Sequence, residues 1–451
     1  MHHARVRASL AVVLMWGAAA IATPLLMWQL YDRAMARDHQ YLCCKFADVW
    51  GGGGWDFSMF LQSARLVAAG HSPYGYAGYV YTPVLAVLTV PFTHMSYLGA
   101  WHLWTLLEIA TVVIGIAVFV ASERRGRPAW QAPALFAFAA LTAAYFFPAS
   151  RVITLGQVDL LTMLLLLGSA WAQSRGSVAT RSVLLGCATL LKVWPIFIGL
   201  ALLQPGLAQR KRALIAFALT VASAPVLVVI FGGLSGPRMF YANFTNQVSD
   251  RWVSHSSWGT ASMLFSRTGL TSPLIVSNSL RIVTGALLCG LVIALMLVAI
   301  RTPGDPALCM WNLAGCLVIM FPKSHLAYSV LMLPVLWIWG ARVLDRGQRS
   351  RTTWIVFAVA VAWWIVQTQS WPDDAFPPTD SVWLYCLVFA ANLVLCTASV
   401  VGNWIIQGRS SSPAPQAPSA VARATAFAAT RSVRVFVKKA FGPSGAGTPS
   451  P

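Results

Sequence analysis

Apolar residues run in long blocks along almost the whole chain, broken by short polar or basic stretches, a pattern that predicts successive membrane-crossing helices. Blocks near 10–30, 97–121, 131–148, 157–173, 212–232, 281–300, 307–321, 325–341, 352–370 and 382–403 each suit one span. The stretch 182–204 has basic loops on both sides, so a single crossing does not fit it. Two short helices, 182–192 and 194–204, resolve this, meeting at Lys192-Val193-Trp194-Pro195. Eleven residues rise about 17 Å against a hydrocarbon core of about 30 Å, which puts the Lys192 tip inside the membrane beside a polar cavity. The total is about twelve spans in an all-α polytopic membrane protein. The run 83–93 is short and marked by proline, and reads as interfacial.

Composition agrees. With 57% hydrophobic and 10% charged residues and a mean hydropathy of +0.66, the chain has too few charges to build a water-soluble surface. A net charge of +19 suggests nucleic acid in a soluble protein, but here the basic residues sit in short loops between apolar blocks, where they report topology. The map that follows places 21 of the 32 basic and 3 of the 13 acidic residues on the cytoplasmic side. Both termini are then cytoplasmic, segment 31–82 and the acidic loop 371–380 are external, and the loops at 124–127, 175–181, 210–212 and 342–351 are internal. The expected location is the cell (inner) membrane. The first apolar block is long enough to span, which argues against a cleaved signal.

From residue 410 the composition turns to Ser, Pro and Ala, giving an expected division into a membrane domain, 1–409, and a disordered basic tail, 410–451. Within the tail, 430–441 suits either the inner leaflet or plain solvation. Six cysteines, Cys187, Cys289, Cys309, Cys316, Cys386 and Cys396, fall in apolar blocks and read as small core residues. Cys43 and Cys44 are adjacent in a polar loop. No Cys or His spacing points to a metal, and no cofactor is expected.

Glu108 and Asp159 are the only acidic residues that this map places in apolar helices. Most polar side chains lie instead in 31–82, in 233–280, and at tips marked by Arg151, Lys192 and Lys323 to His325. Such an asymmetry suits a reaction site at the external membrane face rather than a polar transport path through the bundle.

The segment from Trp55 to Phe92 carries the densest signal: Asp56-Phe57, Phe60, an Ala-rich stretch from Ser63 to Ala69, Gly70, Pro73-Tyr74 and Val80-Tyr81-Thr82-Pro83. This order resembles the first external loop of glycosyltransferase family 87, the polyprenyl-phosphate-mannose-dependent α-mannosyltransferases of the GT-C superfamily. Thr82 replaces the first proline of the family's aromatic-Tyr-Pro-Pro element. Leu155-Gly156-Gln157-Val158-Asp159-Leu160-Leu161 resembles its Gly-Gln-Val-Asn-Leu-Leu, with Asp159 in place of Asn, and Leu190 to Pro195 resembles its Leu-Lys-Val-Tyr-Pro. His325, in FPKSHLAY, and His255, in HSSW, match later family elements only in outline. The resemblance covers most of residues 10–405. It implies a GT-C-like fold with an external catalytic loop, and a membrane-embedded inverting transferase that moves a hexose, mannose by the resemblance, from a polyprenyl-phosphate donor to a hydroxyl on a glycan or glycolipid acceptor.

That reaction needs a base for the acceptor proton and positive charge near the departing phosphate. Inversion in a single displacement needs one positioned carboxylate and no covalent nucleophile. Asp56 is the candidate base, although an Asp near a helix start serves equally as an N-cap, and the residues alone leave both open. Lys192, with Lys323 and His325, is the candidate donor-phosphate cluster; a lysine at a membrane-buried tip either meets an anion or snorkels. Tyr81, Gln157, Asp159, Arg151 and His255 are candidates for substrate contact, and Asp159 also suits orienting Lys192 or favouring a helix start. Trp50, Trp55, Tyr74, Tyr79 and Tyr81 offer rings for sugar stacking or for the membrane interface, and Glu108 suits internal packing. A transporter or flippase for a lipid-linked sugar is the competing function; it explains the spans but gives Asp56 no particular role, and no clear internal repeat supports it.

Overall fold

The computed structural model describes residues 2–36, 54–124, 127–249, 254–267, 272–321, 324, 326–345, 347–368 and 382–410. Among them there is no β-strand. Helix α1 (His2–Ala36) is followed by α2 (Trp55–Ala68), a 3₁₀ turn at Pro73–Gly75, α3 (Pro83–Thr89) and a second 3₁₀ turn, Val90–His94. Next come α4 (Tyr97–Glu123), α5 (Gln131–Ala144), α6 (Phe147–Leu155), α7 (Asp159–Ser174), α8 (Val178–Leu191) and the 3₁₀ segment Trp194–Leu203. The rest comprises α9 (Arg210–Gly232), α10 (Gly236–Ser249), α11 (Ser257–Phe265), α12 (Asn278–Arg301), α13 (Pro306–Met320), a 3₁₀ segment Leu326–Met332, α14 (Leu333–Leu344), α15 (Arg351–Thr368) and α16 (Val382–Ser410). Residues 1–405 form one compact unit, to which all that follows refers.

Six of these helices, or seven if one bent pair counts as a single span, are long and apolar enough to cross a membrane. Of the remaining expected spans, α7 with 16 residues, α8 with 14 and α13 with 15 rise only about 21–24 Å, 194–203 is a 3₁₀ segment of 10 residues, and α15 has 18 residues. The expected single span at 131–148 is corrected. It breaks after Ala144 and bends by 62° into α6, because Pro148 has no N–H to donate and fits only a helix's first turn. The break expected at 192–195 is present: α8 ends at Leu191, Lys192 is extended, and Pro195 opens the 3₁₀ segment. The run 83–94 forms α3 and its short 3₁₀ continuation, and Pro83 stands at its start.

Contacts between loops sort into two groups. In one, Arg127 donates to the Ala341 carbonyl, Gln131 to that of Leu344, Gln204 to that of Thr302, and Arg342 pairs with Asp305 at 2.9 Å. All of these belong to segments that the charge pattern puts on one side. In the other group, Gly54 N–H donates to Thr154 O at 3.0 Å, His255 N–H to Ser324 O at 2.8 Å, and Thr82 to the Leu190 carbonyl. Those segments are the ones assigned to the opposite side.

The segment from Gly54 to His94 builds its own aromatic core against α4. Phe57 lies 5.2 Å from Trp104 and 6.0 Å from Trp101 between ring centroids, and Phe60 meets Tyr81 edge-on at 5.0 Å. Asn243 of α10 ties the loop down from above, its side-chain amide donating to the carbonyls of Tyr74, Tyr76 and Tyr79. Burying these rings offsets the cost of ordering a long connection, which is how the loop places Asp56 reproducibly.

Candidate active site

The turn between α6 and α7 begins the site. Gly156 has φ +68°, and the amides of Gly156 and Gln157 reach back to the carbonyls of Ile153 and Val152, closing α6. Asp159 then falls in the first turn of α7, where the helix dipole favours its charge. The same glycine is a contact point. A Cβ there would come within 2.6 Å of Phe57 Cβ and 2.9 Å of Trp101, so α2 is seated directly on this turn. Gly156→Ala should therefore both strain the backbone and push α2 away. The expected loss is about 1–3 kcal/mol of stability with a fall in turnover, read by thermal unfolding and activity of the same purified variant; wild-type values in both would show that α2 does not depend on this contact.

Asp56 is the second residue of α2 and is buried, 8% exposed. Gly54 occupies the N-cap position with φ +87°, so Asp56, two residues on, is not the N-cap of this helix.

Lys192 lies at the C-terminal end of α8 and reaches back across the bundle to Asp159. Its Nζ is 2.7 Å from both carboxylate oxygens and 3.8 Å from the centroid of the Tyr328 ring. Both partners are buried, Asp159 at 0% and Lys192 at 5% exposure. Two of the three ammonium hydrogens have carboxylate acceptors, and the charge rests on an aromatic face. Asp56 is close enough for its field to act on Lys192, Tyr81 and Tyr328. Burial holds the Tyr81 hydroxyl well above its usual range, and the charges of Asp56 and Asp159 push the same way. Residues far apart in sequence, 56, 81, 159, 192 and 328, thus share one buried polar cluster.

The other expected residues fall around it. Gln157 is buried, with no partner for its amide oxygen among the described residues. Arg151 is half-buried on α6, which packs against the 3₁₀ segment that carries Tyr328. His255 is buried and stacked on Tyr385 at 4.9 Å. Lys323, His325, Trp50, Cys43 and Cys44, the loop 371–380 and the tail beyond 410 lie outside the described residues. Tyr74 and Tyr79 are buried in the loop's core with their hydroxyls bonded to the carbonyls of Tyr81 and Thr82, so they stiffen the loop instead of offering an open face. Glu108 is buried on α4, one turn from Trp104, as the internal packing expected of it requires. Tyr328 and Asn243 had no signal in the sequence, since an aromatic or amide near a membrane interface is commonplace. Among the described residues no three His, Cys, Asp or Glu side chains gather closely enough to hold a metal ion.

The sequence model of glycosyltransferase family 87 matches residues 79–322, more than half of the chain. The chain belongs to glycosyltransferase family 87. The matched region includes Tyr81, Arg151, Gln157, Asp159, Lys192 and His255; Asp56, Lys323 and His325 lie beyond its ends. Among curated relatives of this family 87 member, it is 25% identical over 185 residues to the GPI alpha-1,4-mannosyltransferase I catalytic subunit of Danio rerio, covering 41% of this chain and 43% of that protein. It is 30% identical over 160 residues to GPI mannosyltransferase 1 of Aspergillus fumigatus, covering 34% of this chain and 35% of that protein. The corresponding enzyme of Gibberella zeae is 26% identical over 171 residues, 38% of this chain and 36% of that protein. The chain spans less than half the length of the curated relatives it matches.

Proposed function

We propose that this family 87 protein is a membrane-embedded, inverting mannosyltransferase that takes its sugar from a polyprenyl phosphate and delivers it to a hydroxyl of a glycan or glycolipid at the external membrane face. The observation that carries this reading is the buried cluster in which Asp56 stands within electrostatic reach of the Asp159–Lys192 pair. Family membership supports glycosyl transfer, and the names of the relatives support mannose.

In the proposed reaction, Asp56 accepts the proton of the acceptor hydroxyl as its oxygen attacks the anomeric carbon, and the bond from that carbon to the phosphate oxygen breaks. The electron pair leaves with the polyprenyl phosphate, whose charge is met by Lys192 together with Lys323 and His325. Tyr81, Gln157, Arg151 and His255 contact the substrates. Burial of the cluster strengthens each of these interactions relative to water. Purified protein in detergent, given labelled polyprenyl-phosphate mannose and a glycolipid acceptor, should form product with inverted anomeric configuration. Donor consumption with retained configuration, or no product from any acceptor preparation, would overturn the reading.

The external face and the twelve-span topology with both termini cytoplasmic are part of the same proposal, supported by the sorting of loop contacts into two groups. Single cysteines at positions 71, exposed in the same segment as Asp56, and 345 should label from opposite sides of the membrane, 71 from outside. Labelling of 71 and 345 from one side would reject this topology.

A further inference from the structure

We propose that Asp159 is a positioning residue that keeps the hold on a lipid phosphate weak, by occupying the ammonium of Lys192. The proposal rests on the reading that Lys192 meets the donor phosphate. Lys192 does not wait as an open cation. Asp159 takes it with both carboxylate oxygens at 2.7 Å, and Tyr328 covers a further direction at 3.8 Å. All of this happens out of water, with Lys192 at 5% and Asp159 at 0% exposure, where solvent screens the attraction little. A phosphate oxygen therefore binds in competition with a carboxylate that is already seated. Asp56 adds a second negative charge within reach of the same ammonium.

This arrangement has a use. Donor and leaving group carry the same phosphate, and the leaving group gains charge when the sugar departs. A bare buried lysine would hold the product more tightly than the substrate. Sharing Lys192 with Asp159 reduces that hold and lets the polyprenyl phosphate go.

The test is the affinity of the purified full chain for polyprenyl phosphate, followed by tryptophan fluorescence and by inhibition of transfer. Asp159→Asn keeps the shape and one acceptor oxygen but removes the charge. It should tighten polyprenyl phosphate binding about tenfold or more and lower the donor KM by a similar factor. Asp159→Glu, which retains the charge, should stay near wild type. In a Lys192→Met background, Asp159→Asn should tighten nothing. Wild-type or weaker binding by folded Asp159→Asn, or tightening that persists without Lys192, overturns the proposal. Should that variant not fold, Asp159→Ala and Asp159→Ser carry the same expectation and the same overturning result. Inorganic phosphate, run in parallel, separates a bare anion site from a lipid-phosphate site: equal competition by it overturns the lipid assignment. Product formation without tightening rejects this inference alone, whereas tightening in a protein that forms no product rejects the transferase reading.

Discussion

Asp56→Asn should lower turnover by ~10²-fold or more while the protein still folds and inserts. The substitution keeps size and hydrogen-bonding atoms and removes only the capacity to accept a proton. Asp56 sits in the first turn of α2, but Gly54 is the capping residue. The helix therefore loses a charge–dipole contribution of about 0.3–1 kcal/mol. Stability and chemistry separate cleanly for this reason. Donor KM should change little, since the role proposed for the carboxylate is on the acceptor. Turnover measured with labelled donor, beside thermal unfolding of the same preparation, decides the matter; near-wild-type turnover would make Asp56 an electrostatic or packing residue and leave the reaction without its base.

Lys192→Ala should be the most destabilising change in the site, costing about 3–5 kcal/mol. The reason is Asp159. Its carboxylate is fully buried and accepts from the Lys192 ammonium with both oxygens, so deletion of the lysine strands a charge away from water. The double variant Lys192→Ala/Asp159→Ala removes both charges and should recover most of that loss, because an absent pair costs far less than a broken one. Its turnover should nevertheless stay low, with weakened donor binding, since no ammonium remains for the departing phosphate. Thermal unfolding in detergent and donor-dependent kinetics of both variants read the two effects apart. Full kinetic recovery in the double variant would reduce the pair to a structural strut and leave Lys323 and His325 as the phosphate candidates.

Apolar periodicity and charge in the sequence were enough to give the helical class and the loop groupings. Both follow from the same constraint, that a buried backbone must satisfy its own hydrogen bonds and that basic residues stay out of the hydrocarbon. The break at Lys192 to Pro195 was also legible, because two basic flanks forbade one crossing and proline marked the turn. Helix lengths were not. The run 131–148 is continuous in hydropathy, yet Pro148 divides it into α5 and α6 at 62°, and the average over a window hides a single missing N–H.

The site divides in the same way. Asp56, Asp159 and Lys192 stand out in sequence because ionisable residues among apolar ones are costly and seldom idle. The sequence leaves open whether Asp56 caps a helix, and the fold puts Gly54 in that place. Whether Lys192 snorkelled or met an anion was undecided as well, and the anion that the fold supplies is Asp159, 33 positions earlier. Tyr328, Asn243 and the seat that Gly156 makes for Phe57 left no trace in the local pattern. Their roles arise from the distances between segments that only packing brings together, and composition carries no record of those distances. The sequence by itself determined which residues were too costly to be incidental and on which kind of loop they lay. The tertiary structure alone decided which of them face one another, because in a low-dielectric interior the partner of a charge is chosen by proximity across the fold and not by position along the chain.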